Sequence, residues 1–128
     1  MQVKIKLDQW NIQSEMTMEV DQTKFTEDMA SEINIFFGGS TTRLNDNDND
    51  PVKAALRLIA AESFFIVARN DLLDGEYIER KFDWSKDEGI EGFYSFKDMG
   101  ITITEIESWH LTHDETEIVS ITNDAREK

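Results

Sequence analysis

The sequence predicts an α+β fold, a small antiparallel sheet packed against two to three helices. Three observations point to it. The first twenty residues alternate polar and apolar side chains, residues 26–69 carry helical apolar periodicity, and residues 101–106 return to a β-branched alternation. Strands, then helices, then strands is the order of segregated elements rather than of alternating βαβ units. A chain of 128 residues fits one domain over residues 1–128, with residues 123–128 expected to be a frayed tail.

The elements follow in order. Val3, Ile5 and Leu7 alternate with Lys4, Lys6 and Asp8, a half-buried strand. Ile12, Ser14, Met16, Met18 and Val20 repeat the pattern beyond a turn at Asn11, so the two runs predict an antiparallel hairpin. Thr26 is placed to cap a helix whose first turn carries Glu27 and Asp28, favourable against the dipole. Met29, Ile33, Phe36 and Phe37 form its apolar stripe, and Gly38-Gly39 is expected to end it. Residues 40–50 read as a polar loop. Asp50 then caps a second helix, with Pro51 at its first position, running to about Arg69. Apolar residues cover most of its circumference, which predicts a buried helix at the centre of the core. Truncating Phe65 or Ile59 there is expected to cost about 2–5 kcal/mol.

Asp71, Asp74 and Gly75 mark a break before a short third helix over residues 75–84. Residues 85–92 read as loop, and Phe93, Tyr94 and Phe96 as a short extended segment. Met99-Gly100 forms a turn, Ile101 and Ile103 open a strand, and residues 117–121 supply another.

Charge is the strongest functional signal. Twenty-seven acidic residues against thirteen Lys and Arg give a formal net charge of −14. The excess is uneven: residues 1–69 carry 11 Asp/Glu and 7 Lys/Arg, residues 70–128 carry 16 and 6, so the halves stand at −4 and −10. Such a surface repels nucleic acid and anionic membranes and favours basic partners. Cysteine is absent, which excludes disulfides and thiolate metal sites. No apolar run approaches the roughly 20 residues needed to cross a bilayer, and the N-terminus lacks a signal-peptide core. A cytoplasmic protein is expected.

Motifs for chemistry fail on inspection. Asp46, Asp48 and Asp50 have the spacing that opens a calcium loop, but the positions requiring Gly and a bidentate Glu hold Pro51 and Arg57. A solvated loop favouring the next helix N-terminus explains them better. His110 and His113 are the only histidines, and as strand neighbours they point to opposite faces. Gly38-Gly39-Ser40-Thr41-Thr42-Arg43 lacks the second Gly and the Lys of a phosphate loop. No catalytic residue, metal ligand or cofactor is assigned.

One charge pattern has geometry behind it. Glu76, Glu79, Asp83 and Asp87 recur at i, i+3, i+7 and i+11, which on a continuous helix is one carboxylate row. Asp71, Asp74, Glu88 and Glu91 extend it into the flanking segments, and Arg80 and Lys81 interrupt it. These eight acidic residues are the candidate contacts to a partner. Phe93, Tyr94, Phe96 and Trp109 lie in the same acidic half; aromatics ringed by charge can anchor an interface, and these are expected mainly as the far wall of the core.

Leu7-Asp8-Gln9-Trp10, Met18-Glu19-Val20-Asp21, Phe25-Thr26-Glu27, Ile33 to Phe37 and Asp50 to Ala61 come in an order similar to that of an uncharacterised family of small bacterial and prophage proteins, a domain of unknown function. Gly100-Ile101-Thr102-Ile103 carries a fainter echo. The resemblance covers about residues 1–70, implies a phage or prophage context and supplies no activity and no site residues. The resulting expectation is a non-enzymatic acidic binding protein, a phage accessory factor that engages a basic, nucleic-acid-binding protein of host or phage. It would contact neither nucleic acid nor membrane directly. The alternatives are a small carboxylate-dependent, metal-assisted enzyme using Asp46, Asp48 or the His110–His113 region, and an oligomeric assembly component, with a weak homodimer through Leu72-Leu73.

Overall fold

The computed structural model describes residues 1–9, 12–70, 75–107 and 117–122. These form three strands and five helices, an α+β fold. Strands β1 (Gln2–Gln9) and β2 (Ile12–Val20) pair antiparallel from Gln2 opposite Glu19 to Gln9 opposite Ile12, the hairpin their alternation predicts. Strand β3 (Ile101–Ile106) pairs antiparallel with the other edge of β2, so the sheet order is β1-β2-β3.

A bulge corrects the simple alternation expected for β3. Met18 faces Ile103 and Thr17 faces Glu105, which leaves Thr104 without a register partner. Its hydroxyl donates instead to the Thr17 carbonyl at 3.2 Å. The extra residue turns Ile106 back to the inner face, where it is buried with Ile101 and Ile103.

Of the five helices, the third, fourth and fifth contact the sheet, and the first two pack against the third. Helix α1 (Glu27–Phe36) starts where Thr26 accepts a hydrogen bond from the Met29 amide at 3.2 Å. It ends at Phe36, and Phe37 is already extended. Gly38-Gly39 therefore does not cap it. Gly39, at φ +79°, instead opens α2 (Ser40–Asn45), a short helix inside the stretch expected to be a loop. Its cause is Arg43. The guanidinium donates to the carbonyls of Asn34 (2.9 Å), Phe37 (3.0 Å) and Gly38 (3.0 Å), and to Asn34 Oδ1 (2.6 Å). One cation thus satisfies the Asn34 carbonyl in the last turn of α1 and the two carbonyls that follow the helix, a position the helix dipole also favours. Asn34, buried, returns a bond to the Ser40 carbonyl at 3.2 Å.

Helix α3 (Pro51–Asn70) crosses the core, and Asp50 accepts from the Val52 amide at 2.9 Å at its start. Ala55, Ile59, Ser63, Ile66 and Val67 are enclosed, as expected of a central helix. A narrow outer row remains at Lys53, Arg57, Ala61, Phe65 and Arg69, spaced by four residues. Phe65 is 52% exposed, so its expected burial is corrected; the Arg69 guanidinium lies 4.8 Å from its ring centre.

Helix α4 (Gly75–Lys81) is shorter than expected and lies against β3. Helix α5 (Phe96–Met99), capped by Ser95, replaces the extended segment expected at Phe96. Phe82, Phe93 and Phe96 are buried together, with ring centres 4.7–5.2 Å apart. Residues 117–122 are exposed and form no strand, so the second C-terminal strand is also corrected: Ile118, Val119 and Ile121 find no cover among the described residues.

Candidate functional site

The acidic segment does not form one row of carboxylates. Helix α4 stops at Lys81, so Asp83 and Asp87 leave the helical register of Glu76 and Glu79. Each then takes local work. Glu79 Oε2 accepts from the Ile103 amide at 3.3 Å and ties α4 to the sheet edge. Asp83 accepts from the Ser85 amide (2.9 Å) and hydroxyl (2.7 Å), a turn that redirects the chain. These bonds hold its carboxyl below the ordinary Asp range. Asp87 accepts from the Glu88 amide at 2.8 Å and pairs with Lys81 at 3.2 Å, and is also held low. Glu76, Glu88 and Glu91 stay exposed. Asp71, Asp74, Leu72, Leu73, Trp109, His110 and His113 lie outside the described residues.

The turn at Asp83 presents Trp84 in an aromatic surface of which the sequence pattern singled out only Tyr94. Trp84 is 55% exposed, and its indole N–H donates to the Phe93 carbonyl at 3.1 Å. Its ring lies where a Cβ on Gly89 would stand, 2.2 Å away, and Gly89 takes φ +71°. Phe36, 53% exposed, does the same at Gly92, which takes φ +94°. Tyr94 completes the group, and its hydroxyl donates to Glu32 of α1. That bond, followed by partial burial and the carboxylate charge, raises the phenol above its usual pKa. A hollow of about 200 Å³ opens between Glu32, Phe36, Gly92 and Tyr94, floored by Ile33 and Phe93. Three exposed aromatics thus border Phe93, with Glu32 beside them and Glu88 and Glu91 in the same short segment. Phe93 and Phe96 are core residues, as expected, while Tyr94 is not.

The loop at Asp46 to Asp50 uses its Asn and Asp residues for backbone geometry. Asp48 and Asn49 both adopt left-handed φ, 61° and 57°, which these side chains tolerate better than most. Asp48 pairs with Lys53 at 2.9 Å, Asp50 caps α3, and Asn47 turns inward. Among the described residues, no group of three or more His, Cys, Asp or Glu is placed to hold a metal ion, and no helix is long and apolar enough to cross a membrane.

No curated protein and no solved structure matches the chain. A family model described as "Protein of unknown function (DUF2528)" matches residues 15–118. The match runs from β2 through the acidic segment and past β3, so it includes the aromatic surface, well beyond the first 70 residues that carry the resemblance noted from sequence. The chain belongs to this uncharacterised family.

Proposed function

We propose that the chain is a non-enzymatic binding protein that engages a basic polypeptide surface through Phe36, Trp84 and Tyr94 and their acidic surround. The carrying observation is that exposed Phe36 and Tyr94 line a hollow with Phe93, while exposed Trp84 donates to the Phe93 carbonyl, beside the acidic segment. Interfaces concentrate their free energy in a few aromatic and Arg anchors, surrounded by polar groups that exclude water. Here the anchors are rigid: Trp84 and Phe36 fill the space left by two glycines, so little side-chain freedom remains to lose on binding. Glu32, Glu88 and Glu91 supply charge that steers a Lys- or Arg-rich partner toward the surface. Glu76 adds to the same field from α4.

A phage or prophage accessory role in the cytoplasm, with a partner whose basic surface takes nucleic acid, belongs to this proposal. Its support is the charge and the sequence resemblance. Capture from bacterial lysate at about 0.05 M and 0.5 M salt tests it, since screening lengths fall from about 10 Å at 0.1 M to about 3 Å at 1 M. A basic protein retained at low salt, released at high salt or by added duplex DNA, and lost with Trp84→Ala and with Glu88→Lys/Glu91→Lys supports the reading. Identical capture by wild type and both variants overturns it.

A further inference from the structure

A cleft away from the acidic segment carries two arginines in its wall. Arg43, Arg57, Asn47, Thr42, Asp46 and Leu58 line an open cleft of about 540 Å³, within the range of about 300–1,000 Å³ typical of small-molecule sites. Neither arginine forms an ion pair among the described residues, in a chain with twice as many acidic as basic residues.

The two arginines are used differently. Arg43 spends four of its five N–H donors on the end of α1 and is locked there. Arg57 spends one, on Asn47 Oδ1 at 3.0 Å, and keeps four without a partner among the described residues. Asn47 is only 7% exposed, and its amide donates to the Arg43 carbonyl at 2.7 Å, so its orientation is fixed from both sides. A buried side chain therefore holds an otherwise uncommitted guanidinium at the wall of a cleft. Thr42 adds a hydroxyl and Leu58 an apolar contact.

We propose that this cleft binds a small organic monocarboxylate, with Arg57 taking the carboxylate through its free N–H groups, Arg43 adding positive charge and Leu58 contacting the apolar part. A planar guanidinium matches a carboxylate or a phosphate bidentately. Asp46 decides between them: its charge in the same wall leaves two positives against one negative, which suits a monoanion over a phosphate dianion. A free acid and the carboxyl terminus of a peptide share this chemistry.

The test is an amide-shift titration of the full chain with sodium butyrate, with N-acetyl-leucine and with inorganic phosphate, each against sodium chloride of matched ionic strength. Saturable shifts at Gly39, Thr42, Arg43, Asn47 and Arg57 are expected from at least one carboxylate, at about 1–10 mM. The tighter of the two identifies the source as free acid or chain terminus. Arg57→Gln, an exposed mid-helix change, weakens binding about tenfold, Asp46→Asn tightens it several-fold, and Arg69→Gln leaves it unchanged. Shifts that sodium chloride reproduces, phosphate saturating at lower concentration than either carboxylate, or equal weakening by Arg57→Gln and Arg69→Gln overturn the assignment.

Discussion

Arg43→Met is expected to be among the most damaging changes outside the hydrophobic core. Four hydrogen bonds from one guanidinium, at 2.6–3.0 Å, close the C-terminus of α1 and fold α2 back against it. They do not count equally. Gly38 is exposed and Phe37 half-buried, so water replaces the arginine at their carbonyls. Asn34 is only 3% exposed, and its Oδ1 and backbone carbonyl lose their donor with no such replacement. Each acceptor left unpaired in the interior costs about 1–3 kcal/mol, and the lost dipole contact about 0.3–1 kcal/mol. The total comes to about 2–7 kcal/mol, centred near 4 kcal/mol. With a urea slope of about 1.5–2 kcal/mol per molar for a chain of this size, the unfolding midpoint followed by circular dichroism falls by about 2 M. Arg43→Lys restores less than half, because an ammonium cannot reach four acceptors in one plane. In Asn34→Ala protein, which lacks the buried amide, Arg43→Met costs clearly less than in wild type. A loss below about 1 kcal/mol, full rescue by Lys, or additive behaviour with Asn34→Ala would refute the account of this junction.

Other outcomes follow from the same geometry. Ile59→Ala costs about 2–5 kcal/mol in chemical denaturation, while Phe65→Ala, on the outer row of α3, costs under about 1 kcal/mol. Gly89→Ala puts a methyl group into the Trp84 ring at a left-handed φ, costs about 1–3 kcal/mol and shifts tryptophan fluorescence. Asp21 and Asp83 are held below the ordinary Asp range in the fold because the hydroxyl and amide groups of Thr23 and Ser85 donate to them. Their contribution is therefore complete above about pH 4 and is lost as pH falls through the lowered folded values. Asp21→Asn and Asp83→Asn should each flatten the acid limb of the stability curve. Tyr94 behaves in the opposite sense: its raised pKa stabilises the fold below pH 10 and the gain disappears as pH rises through the folded value. Absorbance at about 295 nm should show one tyrosine titrating earlier in Glu32→Gln than in wild type.

The sequence was most legible where one signal decided the matter. Period-two alternation placed the hairpin, Thr26 placed the start of α1, and Asp50-Pro51 placed the start of α3. It was misleading where apolar content outvoted geometry. On α3 the charged residues Lys53, Arg57 and Arg69 already mark an outer row at spacing four, and Phe65 falls on it. On α1 Asp28 and Glu32 mark another, and Phe36 falls on that. Both exposed phenylalanines were thus readable from the charges beside them, and Phe36 with Glu32 forms the α1 side of the candidate site. The rest was not readable locally. Helix α2 exists because Arg43 reaches back to Asn34, and the inward turn of Ile106 depends on a bulge set by pairing with β2. Both are tertiary causes, which no window along the chain contains.

The net charge separates into two populations once the bonds are known. Several aspartates, with their short side chains, are engaged by nearby backbone and side-chain donors: Thr23 serves Asp21, Ser85 serves Asp83, Val52 serves Asp50 and Glu88 serves Asp87. Such residues shape turns and helix starts, and their spacing follows the chain's own punctuation. That is why Asp46 to Asp50 mimics a calcium loop, and why Asp83 and Asp87 mimic the continuation of a helical row. Glutamate, one methylene longer, reaches away from its own backbone. Glu88 and Glu91 have no side-chain partner among the described residues, and Glu32 serves Tyr94 at the edge of the hollow. A count of carboxylates therefore overstates the surface that a partner meets, whereas the glutamates beside the exposed aromatics describe it more closely. The acidic bias and the fold are not independent features: much of the aspartate positions the turns, and one of those turns presents Trp84.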